Sequence, residues 1–368
     1  MRAYTLVMLI AAAVTFITTP MARHLARYLH AITPVRSRDV HTMPIPRLGG
    51  LAMLAGFLVA ILLAWQMPFL SGVFWETQQI IGVIIAALWI VLLGMADDLW
   101  DLDWWAKLGG QILAGLILAY YGVVLVTFPI AGLTVGSARL SAIVTILVVV
   151  AVINAVNFVD GLDGLAAGMI AIGGAAFFLY AYLLTRVSSP ENYSSLATAI
   201  LAALVGICIG FLPHNFHPAR IFMGDTGAML LGLLIAAPAI IVTGNIDPAR
   251  VTVTQALPAY LPLLLPLAVL ALPIIDMTFA IIRRTAAGHS PFHPDRGHIH
   301  HKLIDLGHSH RGAVLIMYTW TIVVSSTAVL MVVIPPQWAL LSGLVMAVIA
   351  FIFTRVRVTR SAARRLSS

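Results

Sequence analysis

Residues 196–213 read LATAILAALVGICIGFLP, with no charged side chain among them. A helix of about 20 apolar residues spans the hydrocarbon core of a bilayer, and this run is nearly that long. The only cysteine of the chain, Cys208, lies inside it, so no disulfide framework exists. Working outward, similar apolar segments occupy 4–22, 48–66, 79–96, 106–123, 140–156, 165–183, 226–243, 259–281, 313–334 and 337–354. A membrane β-barrel would instead alternate apolar and polar residues over segments of about 10. The whole chain agrees. Of 368 residues, 61% are hydrophobic and 10% charged, and the mean hydropathy is +1.01. A soluble globule carries roughly 25% charged residues. Both a soluble domain and a disordered chain are therefore excluded. The expected fold is all-α, a polytopic integral membrane protein of about eleven transmembrane helices. Ten are expected if Pro335-Pro336 only kinks the last pair or makes it re-entrant. Residues 4–22 are long enough to span, and no small-residue cleavage site precedes a polar domain, so a cleavable signal is not expected. Residues 1–354 read as one transmembrane domain and 355–368 as a basic cytoplasmic tail that holds anionic lipid headgroups. No internal repeat is visible, which disfavours inverted-repeat transporters.

The loops sort by charge. One side of the membrane holds 23–47, 97–105 (with Lys107 just inside the next helix), 157–164, 214–225, 282–312 and the tail, with 17 of the 21 Lys and Arg. By the positive-inside rule that side is cytoplasmic, with the N-terminus outside and the C-terminus inside. All 12 His and all Asp except Asp247 fall on the same side, whereas Glu76 and Glu191 fall on the other. His and Asp are no part of that rule, so their segregation places the chemistry on the cytoplasmic face.

Four stretches there could carry it. The first, Ala96-Asp97-Asp98-Leu99-Trp100-Asp101-Leu102-Asp103-Trp104-Trp105-Ala106-Lys107, packs four carboxylates into seven residues. Unpaired carboxylates so close repel one another. A divalent cation would relieve the repulsion, and a solvated acidic helix end with interfacial Trp is the plainer alternative. In the second, Asn154-Ala-Val-Asn157-Phe-Val-Asp160-Gly-Leu-Asp163-Gly164, polar residues recur every third position. On a helical turn they share roughly one face, and a helix cap needs only one of them. The third, Pro213-His-Asn215-Phe-His217-Pro-Ala-Arg220-Ile-Phe-Met-Gly-Asp225-Thr-Gly227, sets Asp225 at the entry of a span. It fits an N-cap or a metal ligand beside helix amides that attract phosphate. The fourth, Ser290-Pro-Phe-His-Pro-Asp-Arg296-Gly-His298-Ile-His300-His301, has no cysteine to support zinc. Flanked by Arg296 and Lys302, it fits a phosphate or diphosphate cradle better. Asp276, near the end of a span, has Arg283 and Arg284 as ion-pair partners within one to two turns.

A carboxylate and amide site beside cations at the membrane surface suits phosphoryl transfer, which asks the protein for positioning and charge neutralisation. A lipid phosphate is mostly dianionic at neutral pH, so it needs neutralisation more than a strong base. The same four stretches, in order from about residue 30 to 312, resemble the polyprenyl-phosphate N-acetylhexosamine-1-phosphate transferase family. The fourth stretch resembles its N-acetylglucosamine branch more than its phospho-MurNAc-pentapeptide branch. The resemblance implies transfer of GlcNAc-1-phosphate from UDP-GlcNAc to a polyprenyl phosphate (C50 or C55), releasing UMP and starting a cell-envelope polysaccharide in a bacterial cytoplasmic membrane. It implies Mg²⁺, with Mn²⁺ as an alternative, and a homodimer, with membrane lipids as partners and no nucleic acid. By the same resemblance, Asp225 and Asn157 hold the metal, and Asp97 and Asp98 position or deprotonate the lipid phosphate. Lys107 contacts phosphate, Asp160 and Asp163 lie in the nucleotide pocket, and Asn154 and Asn215 join the substrate-binding set. Arg296, His298, His300 and His301 hold the diphosphate or sugar. Asp101 matches a carboxylate of part of the family, whereas Asp103 departs from the pattern. The rival functions are pentapeptide-sugar transfer by the same chemistry, and cation or proton transport. Transport would place carboxylates near mid-span, and the span interiors here are nearly free of charge. A non-catalytic scaffold for anionic lipid would explain the arginines but not the Asp and Asn spacing.

Overall fold

A computed structural model describes residues 1–33, 44–74, 77–125, 137–188, 195–244, 278, 282, 285–286 and 308–366. The described chain is a bundle of helices. They are α1 (Arg2–Tyr28), α2 (Gly49–Trp65), α3 (Pro68–Ser71), α4 (Thr77–Trp100), α5 (Trp104–Tyr120), α6 (Ala138–Val159), α7 (Leu165–Ser188), α8 (Leu196–Asn215), α9 (Gly224–Gly244), α10 (His310–Val333) and α11 (Pro336–Leu366). Between α1 and α2, β1 (Ile32–Thr33) and β2 (Ile45–Pro46) pair antiparallel, with Ile32 opposite Pro46. Ten of the eleven apolar segments coincide with helices; 259–281 lies outside the described residues. Among the described residues, seven helices are long and apolar enough to cross a membrane. An eighth span results if α2 and the Pro68–Phe74 turn, bent by 93°, count as one. Pro335-Pro336 separates two helices that pack on each other, because Pro336 starts α11 and cannot continue α10. The tail segment continues α11 as far as Leu366.

Helix ends follow local chemistry in most places. Ser137, Ser195 and Ser309 cap α6, α8 and α10, each hydroxyl accepting from an amide of the first turn. Burial ranks the helices. In α9, 89% of the apolar window is buried and in α8 83%, against 28% in α1. Accordingly α4 and α6 both pack on α9, α7 and α1 on α8, α10 on α7, and α11 on α10. The outer helices expose large apolar side chains: Leu340, Leu344, Phe351 and Ile352 of α11 are each more than half exposed. Such a surface needs a lipid solvent, and the chain is a multi-pass membrane protein.

Small residues let the central helices meet near the site. A Cβ on Gly94 of α4 would stand 2.6 Å from the Thr226 Cα of α9, and Gly50 of α2 lies against the backbone of Thr226 and Gly227. Gly94→Leu is therefore expected to lower the unfolding midpoint of the detergent-purified protein, at a cost of roughly 1–3 kcal/mol or more. An unchanged midpoint would mean that α4 and α9 do not meet at this point.

Candidate active site

The site forms where α4 and α6 end, α9 begins and the β1–β2 pair folds over them. The chain entering α9 is pinned by backbone. Phe222 N–H donates to Pro46 C=O at 2.9 Å, Gly49 N–H to Phe222 C=O at 3.0 Å, and Gly50 N–H to Met223 C=O at 3.1 Å. Gly224 then takes φ +69°, and a side chain there would collide with the Asp98 carboxylate. This is one position that requires glycine.

Asp98, buried at the end of α4, caps α9 from another helix. Its Oδ1 accepts from Asp225 N–H at 3.1 Å, and its Oδ2 from Thr226 N–H at 3.0 Å and the Thr226 hydroxyl at 2.6 Å. A helix begins with four unpaired amides and a partial positive charge, and a carboxylate answers both. Asp225 is thus not the cap of its own helix. It sits in the first turn with its carboxylate directed elsewhere.

Asp97 faces the other way. Its Oδ1 accepts from Leu102 N–H at 2.8 Å, closing the turn in which Asp101 adopts φ +51°. Its Oδ2 pairs with Lys107 Nζ at 3.1 Å, and the same ammonium lies 3.7 Å from Asp225 Oδ2. Asp97, Lys107 and Asp225 form one charged cluster. Asp101 and Asp103 are exposed, and Asp103 holds the N-cap position of α5 without a side-chain cap bond. Trp104 and Trp105, stacked and exposed, follow it.

Beside this cluster opens a cavity of about 320 Å³. It is lined by Thr33, Arg47, Asp98, Asn157, Asp160, Gly161, Leu162, Asp163, Phe222, Gly224 and Asp225. The structure therefore brings Asn157, Asp160, Asp163, Asp98 and Asp225 together, with Asp97 and Lys107 at Asp225. Asn154 is not part of this group: it donates to Gln111 Oε1 at 2.6 Å on α5 and to Val150 C=O at 2.8 Å. Helical rotation carries it away, and the chain leaves the helix before Asp160. Asn215 also lies outside the lining. Buried, it accepts from Gly164 N–H and donates to Ile221 C=O, both at 3.0 Å, clamping the 160–164 turn to the approach to α9. Arg296, His298, His300, His301, Asp276, Arg283 and Arg284 lie outside the described residues.

Asp163 lines the cavity but is held from behind. Its Oδ2 accepts from Ala219 N–H at 3.0 Å and meets His217 Nδ1 at 2.8 Å, while its N–H donates to His310 Nε2 at 3.2 Å. His217 and His310 stack with ring centroids 4.4 Å apart. Tyr318 donates to Gly164 C=O, and Arg311 holds His217 C=O at 2.7 Å. These residues were not legible as site components, because α10 lies about 150 positions away from the turn it braces. Arg47 was legible only as a cytoplasmic charge; nothing local to it foretells a cavity.

Electrostatically the cavity is acidic. Desolvation pushes the Asp160 carboxyl up to about 7, the Asp98 and Asp163 charges add to that rise, and Arg47 opposes it. The donor set fits a hard divalent cation: carboxylates of Asp225 and Asp160 and the amide oxygen of Asn157 line one polar space.

Residues 80–243 match the family described as glycosyl transferase family 4. The chain is 40% identical over 365 residues to a decaprenyl-phosphate N-acetylglucosaminephosphotransferase of Mycolicibacterium smegmatis, covering 98% of this chain and 90% of that protein. It is 31% identical over 317 residues to a probable undecaprenyl-phosphate N-acetylglucosaminyl 1-phosphate transferase of Bacillus subtilis, covering 86% and 81%. With a phospho-N-acetylmuramoyl-pentapeptide-transferase of Corynebacterium aurimucosum it shares 32% identity over 230 residues, covering 52% of this chain and 62% of that protein.

Two outcomes are expected. Asp98→Ala removes the acceptor of three donors and should destabilise the detergent-purified protein by about 2–4 kcal/mol, read by chemical unfolding. A loss no greater than that of an exposed Asp103→Ala control would refute the cap. Asp160 should be protonated below pH 7 and ionised above it. Since its acid form is favoured on folding, its contribution to stability is present at low pH and fades as pH rises through about 7. Infrared difference spectra should show carboxylic acid intensity disappearing between about pH 6 and 8, diminished in Asp160→Asn, the remainder coming from Asp225, whose carboxyl burial pushes up to about 8.

Proposed function

The chain belongs to glycosyl transferase family 4, among the polyprenyl-phosphate N-acetylhexosamine-1-phosphate transferases, and we propose that it moves GlcNAc-1-phosphate from UDP-GlcNAc to a polyprenyl phosphate. One observation carries the chemistry. Asp225 opens α9 between a carboxylate- and amide-lined cavity and the Asp97–Lys107 pair. A polar, acidic space beside a lysine is suited to two phosphates that must be brought together against their own repulsion. The coverage of the N-acetylglucosamine relatives, against 52% for the pentapeptide-sugar enzyme, favours GlcNAc as the sugar.

In this scheme a lipid phosphate oxygen attacks the β-phosphorus of the donor. The new P–O bond forms as the bond from that phosphorus to the bridging oxygen breaks, and UMP leaves with the bridging oxygen and its charge. Lys107 holds the entering phosphate, and Asp97 orients Lys107. Asp98 takes no proton in the scheme, since both its oxygens are engaged by α9. It fixes where Asp225 stands. Asp225, Asn157 and Asp160 would hold Mg²⁺, which when bound would neutralise phosphate charge and stabilise the leaving oxygen. The site would face the cytoplasm of a bacterial plasma membrane, as the distribution of Lys and Arg supports.

The test is UMP release by detergent-purified protein given polyprenyl phosphate and UDP-GlcNAc, with and without Mg²⁺. Release should require both lipid and metal, and Asp225→Asn should lower it by at least about 100-fold while the protein stays folded. Release with UDP-MurNAc-pentapeptide but not with UDP-GlcNAc would keep the family and overturn the sugar. Full turnover by Asp225→Asn would overturn the metal assignment.

A further inference from the structure

Two cations stand at the site in different surroundings, Lys107 beside Asp225 and Arg47 beside Asp98. Lys107 meets Asp225 Oδ2 at 3.7 Å without lining the cavity. It stands in the first turn of α5, next to exposed Trp104 and Trp105, on a helix that also exposes Leu113 and Leu116. That is the side from which a membrane lipid would arrive. Arg47 lines the cavity itself, among Thr33, Asn157, Asp160 and Asp163, and among the described lining residues it is the only Lys or Arg. That side is lined mainly by polar side chains.

Arg47 is held ready for a ligand. Its N–H donates to Ala31 C=O at 2.9 Å, and its Nε–H donates to Thr33 Oγ1 at 2.6 Å across the β1–β2 pair. The next residues pin to Phe222 and Met223. The backbone and the inner nitrogen are thus fixed, while the two terminal nitrogens make no hydrogen bond to any of the described residues. The nearest carboxylate oxygen, Asp98 Oδ1, is 3.9 Å from one of them, beyond hydrogen-bond reach. Asp98 is already spent on three donors of α9. The guanidinium side chain remains 30% exposed, towards a cavity of four carboxylates. A planar fork with both outer donors open is the geometry that takes phosphate oxygens in pairs.

Resting on the transferase reading above, we propose that Arg47 binds the diphosphate of the nucleotide-sugar donor, while Lys107 receives the phosphate of the acceptor lipid. The ligand class at Arg47 is a nucleoside diphosphate ester. The division of labour follows from the two surroundings: the water-soluble diphosphate reaches the polar cavity, and the lipid phosphate reaches the end of α5. Each anion then approaches Asp225 from its own side, with a separate cation to offset its charge.

The experiment compares the wild-type full chain with Arg47→Ala, Arg47→Lys and Lys107→Ala in detergent. It measures KM for UDP-GlcNAc and for polyprenyl phosphate, and it measures UDP binding by calorimetry, which needs no turnover. Arg47→Ala should raise KM for UDP-GlcNAc and weaken UDP binding by about tenfold or more, with KM for the lipid changed less than about twofold. Arg47→Lys should recover part of the loss, since it restores charge without the fork. Lys107→Ala should show the reverse split. A raised lipid KM with unchanged nucleotide KM in Arg47→Ala would overturn the assignment. So would unchanged UDP binding in folded Arg47→Ala, or equal loss of both KM values in Arg47→Ala and Arg47→Lys. Failure of the wild type to bind UDP or release UMP would instead sink the transferase reading, and this inference with it.

Discussion

The placement of the site depends on one interaction, the Asp98 carboxylate on the N-terminus of α9. Among the described helices, most that have a side-chain cap take it from a serine just before them, as α6, α8 and α10 do. The α9 N-terminus has no such residue, because Gly224 precedes Asp225 and must adopt a left-handed φ. The cap comes instead from α4, 127 positions earlier. Hydrogen bonds to a charged acceptor contribute about 1.5–3 kcal/mol each, and here three converge on one carboxylate. A local cap would have held α9 together without fixing its distance from α4. The distant cap does both, and it is possible only because Gly94 lets the α4 and α9 backbones touch.

A consequence follows for the adjacent aspartates. Asp97 and Asp98 are neighbours in sequence, yet successive residues on a helix point about 100° apart. Asp98 turns to α9 and is consumed there. Asp97 turns to Lys107, which in turn reaches Asp225. The pair therefore splits one structural and one charge-orienting duty between two identical side chains. Asp225, fixed in backbone by one and approached by the cation of the other, lies where the two duties meet.

Much of this was readable in the chain, and the parts that were not have a common cause. Apolar runs are local, so ten of eleven segments could be placed to within a few residues of their helices. The three-residue spacing of Asn157, Asp160 and Asp163 correctly pointed to one space. Extending it back to Asn154 failed, since a helix turns 60° short of a full circle in three residues and the difference carries Asn154 to Gln111. Asn215 and Asp98 carry the residue types expected of ligands, but their oxygens are used by backbone amides. Spacing cannot tell a polar side chain that serves a substrate from one that serves the fold. Arg47, His217 and His310 act through partners that the chain brings back from far away, and no periodicity encodes that.

The acidic cavity also explains why its cations stand where they do. Four carboxylates in about 320 Å³ repel any phosphate that enters, so the proposed binding of two anionic substrates would require compensation at each point of entry. A single lysine near Asp225 would neutralise one phosphate and leave the other facing Asp160 and Asp163. Arg47 in the cavity lining, with its inner nitrogen anchored, would remove that asymmetry in the proposed scheme. In the proposed scheme the carboxylates would hold a divalent cation and would not oppose the anions. Charge of both signs stands at the site, and the fold keeps the two signs apart by assigning the cations to the residue after β2 and to α5, and the carboxylates to the ends of α4, α6 and α9.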